Sequence, residues 1–452
     1  MASAIEQLAK NANWGAFSKA TELKKRILFV LGALIVYRLG TYIPVPGIDP
    51  AVWGDIYSQK GGGILDMFNM FSGGALQRMT IFALNIMPYI SASIIMQLAA
   101  AMSPKLEALK KEGESGRMKI NQYTRYLTVL LASVQAYGLA VGLEGMQSSM
   151  GSAVIEPGLF FRASTVITIV GGTVFLMWLG EQITQRGVGN GISLIIFAGI
   201  VAELPRAVGS VLELGRQGQF NAIELFALAF IVIAVIAFIV FIERAQRRVL
   251  VQYPKRQVGT GQMSAAQQNH IPLKLNTSGV IPPIFASSLL LLPLTIVNFS
   301  GAQNTGGWAS QILAYLQHGQ PLYMALYGGL IMFFAFFYTA IVFNPQENAE
   351  MLRKYGGFIP GMRPGKNTAD YLDHVLTRIT FVGSIYLVLI CLLPEFLMAK
   401  YSIPFYFGGT SLLIAVSVTM DTVAQIHSHL IAHQYEGLMR KTRLKGTRGG
   451  RR

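Results

Sequence analysis

Ten stretches of mostly apolar residues recur along the chain, at 26–43, 81–102, 123–143, 162–180, 190–209, 222–242, 278–298, 321–343, 376–398 and 404–426. About 20 such residues in a helix cross the hydrocarbon of a bilayer. Lipid offers no partner to an unpaired backbone group, so each stretch is expected to be wholly helical. The fifth is the least regular, because Glu203, Pro205 and Arg206 interrupt its far end. The pattern predicts an all-α polytopic membrane protein with ten transmembrane helices.

Composition agrees. The 452 residues are 52% hydrophobic and only 13% charged, against about 25% charged in soluble globular proteins. So few charges cannot cover a water-soluble particle of this size. The single cysteine, Cys391, lies in an apolar run and reads as a small buried hydrophobe. The first 26 residues have no apolar core ending in a small-residue cleavage site, so a cleaved signal peptide is not expected.

Charge sets the orientation. Of the 37 Lys and Arg, 30 flank the spans on the side of both termini and the even-numbered loops. Six lie on the other side (Lys60, Arg78, Arg162, Arg206, Arg216 and Lys400), and Arg38 sits inside the first span. Basic residues collect on the cytoplasmic face, so both termini are expected there. The net charge of +15 is mostly this bias and is not read as nucleic-acid binding. The closing run KTRLKGTRGGRR reads as a solvated anchoring tail.

An internal repeat is visible. Met87-Pro88-Tyr89-Ile90-Ser91-Ala92-Ser93 can be laid over Ile281-Pro282-Pro283-Ile284-Phe285-Ala286-Ser287, five spans later. An odd number of spans per copy turns the second copy upside down, and inverted repeats place a working site near the midplane between the halves. The halves are expected at 1–217 and 218–452.

Three segments do not behave as spans. Residues 61–74, GGGILDMFNMFSGG, hold an apolar stretch too short to cross, flanked by glycines that permit a hinge. Two readings stand: a re-entrant helix packed passively on the bundle, or a movable stopper. The cytoplasmic loops 243–277 and 344–375 are too long for mere connections. They carry Arg247, Arg248, Lys255 and Arg256 in the first, and Arg363 in the second, inside the stiff turn Pro360-Gly361-Met362-Arg363-Pro364-Gly365.

The stretches PGID (46–49), ILDMFNMFSGGAL (64–76), MPYISASII (87–95), GNGIS (189–193), IPLKLN (271–276), GVIPPIFASS (279–288) and PFYFGGTSLLI (404–414) resemble the SecY family, the channel-forming subunits of the Sec protein translocase. The likeness runs through all ten spans in order. It implies two inverted five-helix halves around a central pore, which passes unfolded secretory polypeptides and releases signal and transmembrane segments sideways into lipid. By the same resemblance the pore ring is Ile86, Ile90, Ile192, Ile196, Ile284 and Ile414, without Val188. The plug helix lies in 61–74, with Ile64, Leu65, Met67, Phe68, Met70 and Phe71 as its apolar residues. The lateral gate lies between spans 2–3 and 7–8, with Ser91, Gln135 and Asn276 along it; the same polar residues would also serve as ordinary glue between helices. Docking of SecA and the ribosome falls to Arg247, Arg248, Lys255, Arg256 and Arg363, although Arg363 could instead tie its loop to the neighbouring one. The loop tip 259–268 departs from the family in having no basic residue. Implied partners are SecE and SecG in a heterotrimer, SecA, the ribosome, SecDF and YidC, in the bacterial inner membrane.

Rival functions find little support in the residues. A secondary transporter with an inverted-repeat fold keeps ionisable groups near the midplane, and the central stretches of spans 2 to 9 have none. No His-Glu-x-x-His, phosphate-binding loop or serine-nucleophile motif is present. His427, His429 and His433 lack a convincing further ligand and read as surface histidines. No enzymatic activity and no cofactor are expected.

Overall fold

The computed structural model describes residues 21–60, 69–148, 151–218, 222–253, 257–258, 262–263, 268–299, 320–401 and 409–446. The helices are α1 (Thr21–Gly40), α2 (Pro50–Lys60), α3 (Met87–Met102), α4 (Pro104–Lys111), α5 (Glu114–Glu144), α6 (Leu159–Arg186), α7 (Gly191–Arg216), α8 (Ala222–Arg244), α9 (Ile281–Phe299), α10 (Pro321–Val342), α11 (Pro345–Lys354), α12 (Lys366–Tyr401) and α13 (Gly409–Gly446). Short α2, α4 and α11 lie between spans; the other ten helices take the ten apolar stretches in order. Those of α5, α6, α7, α8, α10, α12 and α13 are long and apolar enough to cross a membrane by themselves. α3 and the described part of α9 are shorter apolar helices, and α1 is diluted by Lys24, Lys25, Arg26 and Arg38.

The second and seventh spans begin later than their apolar stretches. α3 starts at Met87 and α9 at Ile281, while residues 81–86 form turns. Proline lacks the N–H that an interior helical position must donate, and is tolerated only in the first turn. Pro88, and the pair Pro282 and Pro283, therefore mark where helix can begin. Both copies of the internal repeat thus open a helix at their first residue, and Ile90 and Ile284 are each the fourth residue of one.

The two long basic loops are built structures. β3 (Gln246–Gln252) pairs antiparallel with β6 (Gln268–Lys274), enclosing the shorter hairpin of β4 (Gln257–Val258) and β5 (Gln262–Met263); β1 (Gln147–Ser148) and β2 (Gly151–Ser152) form a separate small hairpin. Alternation along β3 buries Val249 and Val251 beside Leu273, against Ile359, Leu372, Val375, Leu376 and Ile379. The loop after α10 joins this core through a backbone bridge, Gln252 N–H to Phe358 O at 2.9 Å and the reverse at 3.0 Å.

Within the bundle α9 lies against α3 and α5, while α13 lies against α1 and α7. These two seams join α1–α7 to α8–α13. The α5–α6 hairpin is fastened at both ends. Arg125 donates in a fork to Glu181 at 3.0 and 2.6 Å, and Arg162 donates to Glu144 at 2.9 and 2.6 Å. Elsewhere small residues let helices approach closely, the usual device where lipid gives no hydrophobic drive to pack. A Cβ at Gly191 would strike the Gly180 carbonyl between α7 and α6. Overpacking costs about 1–3 kcal/mol. Gly191→Ala is therefore expected to lower the melting temperature in detergent micelles. Gly329→Ala, where nothing lies within 4 Å, is expected not to. Equal melting of the two variants would show that this close approach does not hold α6 to α7.

Candidate functional site

The six isoleucines come from the beginnings of four helices. Ile86 is the N-cap of α3 and Ile90 lies in its first turn. Ile192 and Ile196 lie in the first two turns of α7, whose start is fixed by the Asn190 side chain accepting from the Ile192 N–H at 3.1 Å. Ile284 is in the first turn of α9 and Ile414 in the second turn of α13. All six belong to one contiguous apolar cluster; Ile86, Ile90, Ile196 and Ile414 are buried in it, and Ile192 and Ile284 pack against it half-buried. Val188 lies elsewhere, in a small cluster with Leu23, Ile27, Ile426 and Leu430. An aliphatic waist offers a passing chain no directional hydrogen bond, and a narrow apolar constriction dewets and blocks ions. Isoleucine, stiff at χ1, suits such an aperture.

Of the plug segment, Ile64, Leu65, Met67 and Phe68 lie outside the described residues. Met70 and Phe71 are buried in the same cluster as the ring. Residues 69–71 make a helical turn, and Ser411 Oγ, three residues before Ile414, donates to Met70 Sδ at 3.1 Å. The trailing end meets α7 backbone to backbone, since a Cβ at Gly199 would lie 2.7 Å from the Phe71 carbonyl oxygen. The irregular end of the fifth span is part of this outer wall: Glu203 pairs loosely with Arg206 at 3.9 Å, and Arg206 donates to Gln77.

The three polar residues assigned to the gate are all buried, but among the described residues no hydrogen bond joins any two of them. Ser91 follows Ile90 on α3, and Gln135 sits on α5 with its Oε1 unpartnered. Asn276 lies in the turn before α9. It donates to Glu243 Oε1 at 2.7 Å and to Gly279 O at 3.0 Å, and accepts from Ser278 Oγ at 3.1 Å. Asn276 thus binds its own turn to the end of α8. Two further polar residues on the seam helices passed unnoticed in the sequence. Gln97 on α3 and Ser288 on α9 each carry a shielded oxygen with no partner; a polar residue within an apolar span was the available signal.

Arg247 and Arg248 stand exposed on β3, and Arg363 is exposed in its turn. Among the described residues Arg363 has no ion pair; Thr368 Oγ1 donates to its backbone carbonyl at 3.1 Å. Backbone pairing and the apolar core therefore hold the two loops together without its side chain. Lys255 and Arg256 lie outside the described residues.

The seam predicts substitutions of opposite sign. A buried oxygen without a partner costs about 1–3 kcal/mol. Gln135→Leu removes one and is expected to tighten the closed seam, so that accepted signal sequences must be more apolar. Asn276→Leu strands Glu243 and is expected to relax the requirement. At roughly 0.8 kcal/mol per buried methylene, each shift should amount to one or a few methylene groups in a graded panel of signal sequences. Identical thresholds for both variants and the parent would refute this.

Comparison with known proteins bears on the whole chain. A family model described as SecY matches residues 80–423. The protein translocase subunit SecY of Escherichia coli (strain K12) is 56% identical over 425 residues, covering 94% of this chain and 96% of that one. A solved structure described as that of a protein conducting channel superposes with a TM-score of 0.66 at 19% identity, covering 90% of this chain and 92% of the other. A second has a TM-score of 0.64 at 19% identity, with the same coverage, and is described as showing that the plug domain of SecY stabilises the closed state and maintains a membrane seal. With its family model matched over most of its length and a relative identical at more than half of the aligned positions, the chain belongs to the SecY family.

Proposed function

We propose that the protein is the polypeptide-conducting channel of a Sec translocase, passing unfolded secretory chains across the bacterial inner membrane and releasing apolar segments sideways into lipid. The observation that supports this reading is that six isoleucines at the starts of α3, α7, α9 and α13 all belong to the apolar core of the bundle, which also takes in Met70 and Phe71. In this reading the halves are 1–217 and 218–452. The seam of α3 and α5 with α9 is the exit to lipid, and residues 61–74 are the plug. The closed-state role described for the plug in a family member supports that last assignment. Both termini face the cytoplasm, on the side holding 30 of the 37 basic residues.

The channel has no enzymatic role in this proposal, and the driving force comes from partners. These are SecA or the translating ribosome at the cytoplasmic face, SecE and SecG within the membrane, and SecDF and YidC as further associates. A photocrosslinking residue at position 90 is expected to capture a stalled secretory precursor. Ile90→Gly and Ile284→Gly, singly and together, are expected to raise ion conductance of the resting channel in planar bilayers. No capture and no leak would sink the channel reading.

Arg363 is proposed as a docking contact. Glycines at positive φ, Gly361 at 85° and Gly365 at 117°, shape a turn that holds the exposed guanidinium outward. Arginine offers a planar fork suited to a partner carboxylate, and like charges placed together at an interface cost several kcal/mol. Arg363→Glu is expected to abolish ATP-driven precursor import into proteoliposomes while single-channel conductance stays at the parent level. Normal import would refute the docking role.

A further inference from the structure

Arg38 is a basic residue in the last turn of α1 that neither the ring nor the seam employs. Its guanidinium points at the trailing end of the plug segment, where Nη1 donates to Gly73 O at 2.6 Å. The preceding residue, Tyr37, is fully buried and donates its hydroxyl to Ser72 O at 3.2 Å. From the turn before α3, Asn85 Nδ2 donates to Phe71 O at 2.5 Å. Three consecutive carbonyls, 71 to 73, are thus each held by a side chain from a neighbouring element.

Two of the donors sit where their presence is otherwise unfavourable. Tyr37 carries a fully buried hydroxyl, which is costly unless bonded. Asn85 has a backbone φ of +48°, in the left-handed region that non-glycine residues seldom adopt, asparagine more readily than most. The carbonyls they hold belong to the end of a helical turn, where no intrahelical donor remains. Gly199 of α7 closes against the Phe71 carbonyl and the Tyr37 hydroxyl. The segment is therefore gripped at residues 71–73 by bonds that a rearrangement can exchange.

We infer that Tyr37, Arg38 and Asn85 are positioning residues that set how readily the channel opens. They retain the trailing end of the plug segment in the closed arrangement, and their release accompanies opening. This rests on reading 61–74 as a plug.

Two conservative variants isolate the donors. Tyr37→Phe removes one hydroxyl. Asn85→Asp keeps volume and tolerance of the left-handed backbone but sets a carboxyl in place of the amide against the Phe71 carbonyl; Asn85→Gly removes the donor outright with no backbone penalty. Each is expected to raise resting conductance in planar bilayers about fivefold, equivalent to about 1 kcal/mol. Each is also expected to admit precursors with less apolar signal sequences. Deletion of 64–71 should raise the leak by itself, and Asn85→Asp should add nothing in that background. If the deletion leaks but the substituted, normally melting proteins do not, the clamp is overturned and the plug stands. Additive leak in the deleted background also overturns the clamp, since the effect would then lie in the bundle. If the deletion does not leak, the plug reading falls and takes the clamp with it.

Discussion

A backbone placed in hydrocarbon must find every hydrogen bond within the protein, and this constraint decides where the molecule can be irregular. Ten helices meet it by themselves. Among the described residues, the stretch between α1 and α3 leaves regular helix on either side of α2 while packed in the buried core. There the polar groups come from neighbouring strands of chain and from side chains. Val45 N–H reaches Met79 O at 2.9 Å and Ile81 N–H reaches Ile43 O at 3.0 Å. Asn69 Oδ1 accepts from Gln77 N–H at 2.8 Å, and Trp53 Nε1 donates to Leu76 O at 3.0 Å. The buried polar residues of this stretch, Thr41, Asn69, Ser72, Thr80 and Asn85, each bond a backbone group. That set of side chains satisfies the irregular backbone within the core of the bundle.

In the proposed channel the waist and the seam solve different problems with opposite chemistry. A seal against ions needs an aperture without polar groups, and the ring is wholly aliphatic. A seam that must part cannot be a perfect apolar joint, because nothing would favour an entering segment over the closed contact. Here α3, α5 and α9 carry the unpaired oxygens of Gln97, Gln135 and Ser288, and each such oxygen costs stability. Forks at both ends of the α5–α6 hairpin mean that a displacement of α5 carries α6 with it.

What could be read from the sequence follows the range of the interactions. Spans were legible because apolarity over about 20 residues is a local property, and Pro88, Pro282 and Pro283 were local signs of where α3 and α9 start. The ring was reached through likeness to a family: isoleucines four apart on a membrane helix look the same whether they face lipid or a pore. Asn85 showed nothing, because its role needs a left-handed turn and a carbonyl 14 residues away. Asn276 was assigned to the seam on sequence, yet its strongest bond runs to Glu243, 33 residues back on α8. Arg38 was visible only as a misplaced charge.

The same bond links the basic hairpin to the start of α9. β6 ends at Lys274, Asn276 anchors the turn, and α9 begins at Ile281. Between them Leu275 N–H bonds Ala245 O at 2.9 Å, and a Cβ at Gly383 of α12 would lie 2.6 Å from Leu275 O. Lys274 approaches Asp421 on α13 at 3.9 Å. The hairpin bearing Arg247 and Arg248 is therefore continuous with one wall of the seam, and it shares an apolar core with the loop bearing Arg363. Any movement of this module relative to α8 strains both the Asn276–Glu243 bond and the Leu275–Ala245 backbone bond. The turn at 275–280 thus ties together the basic hairpin, the end of α8 and the start of α9.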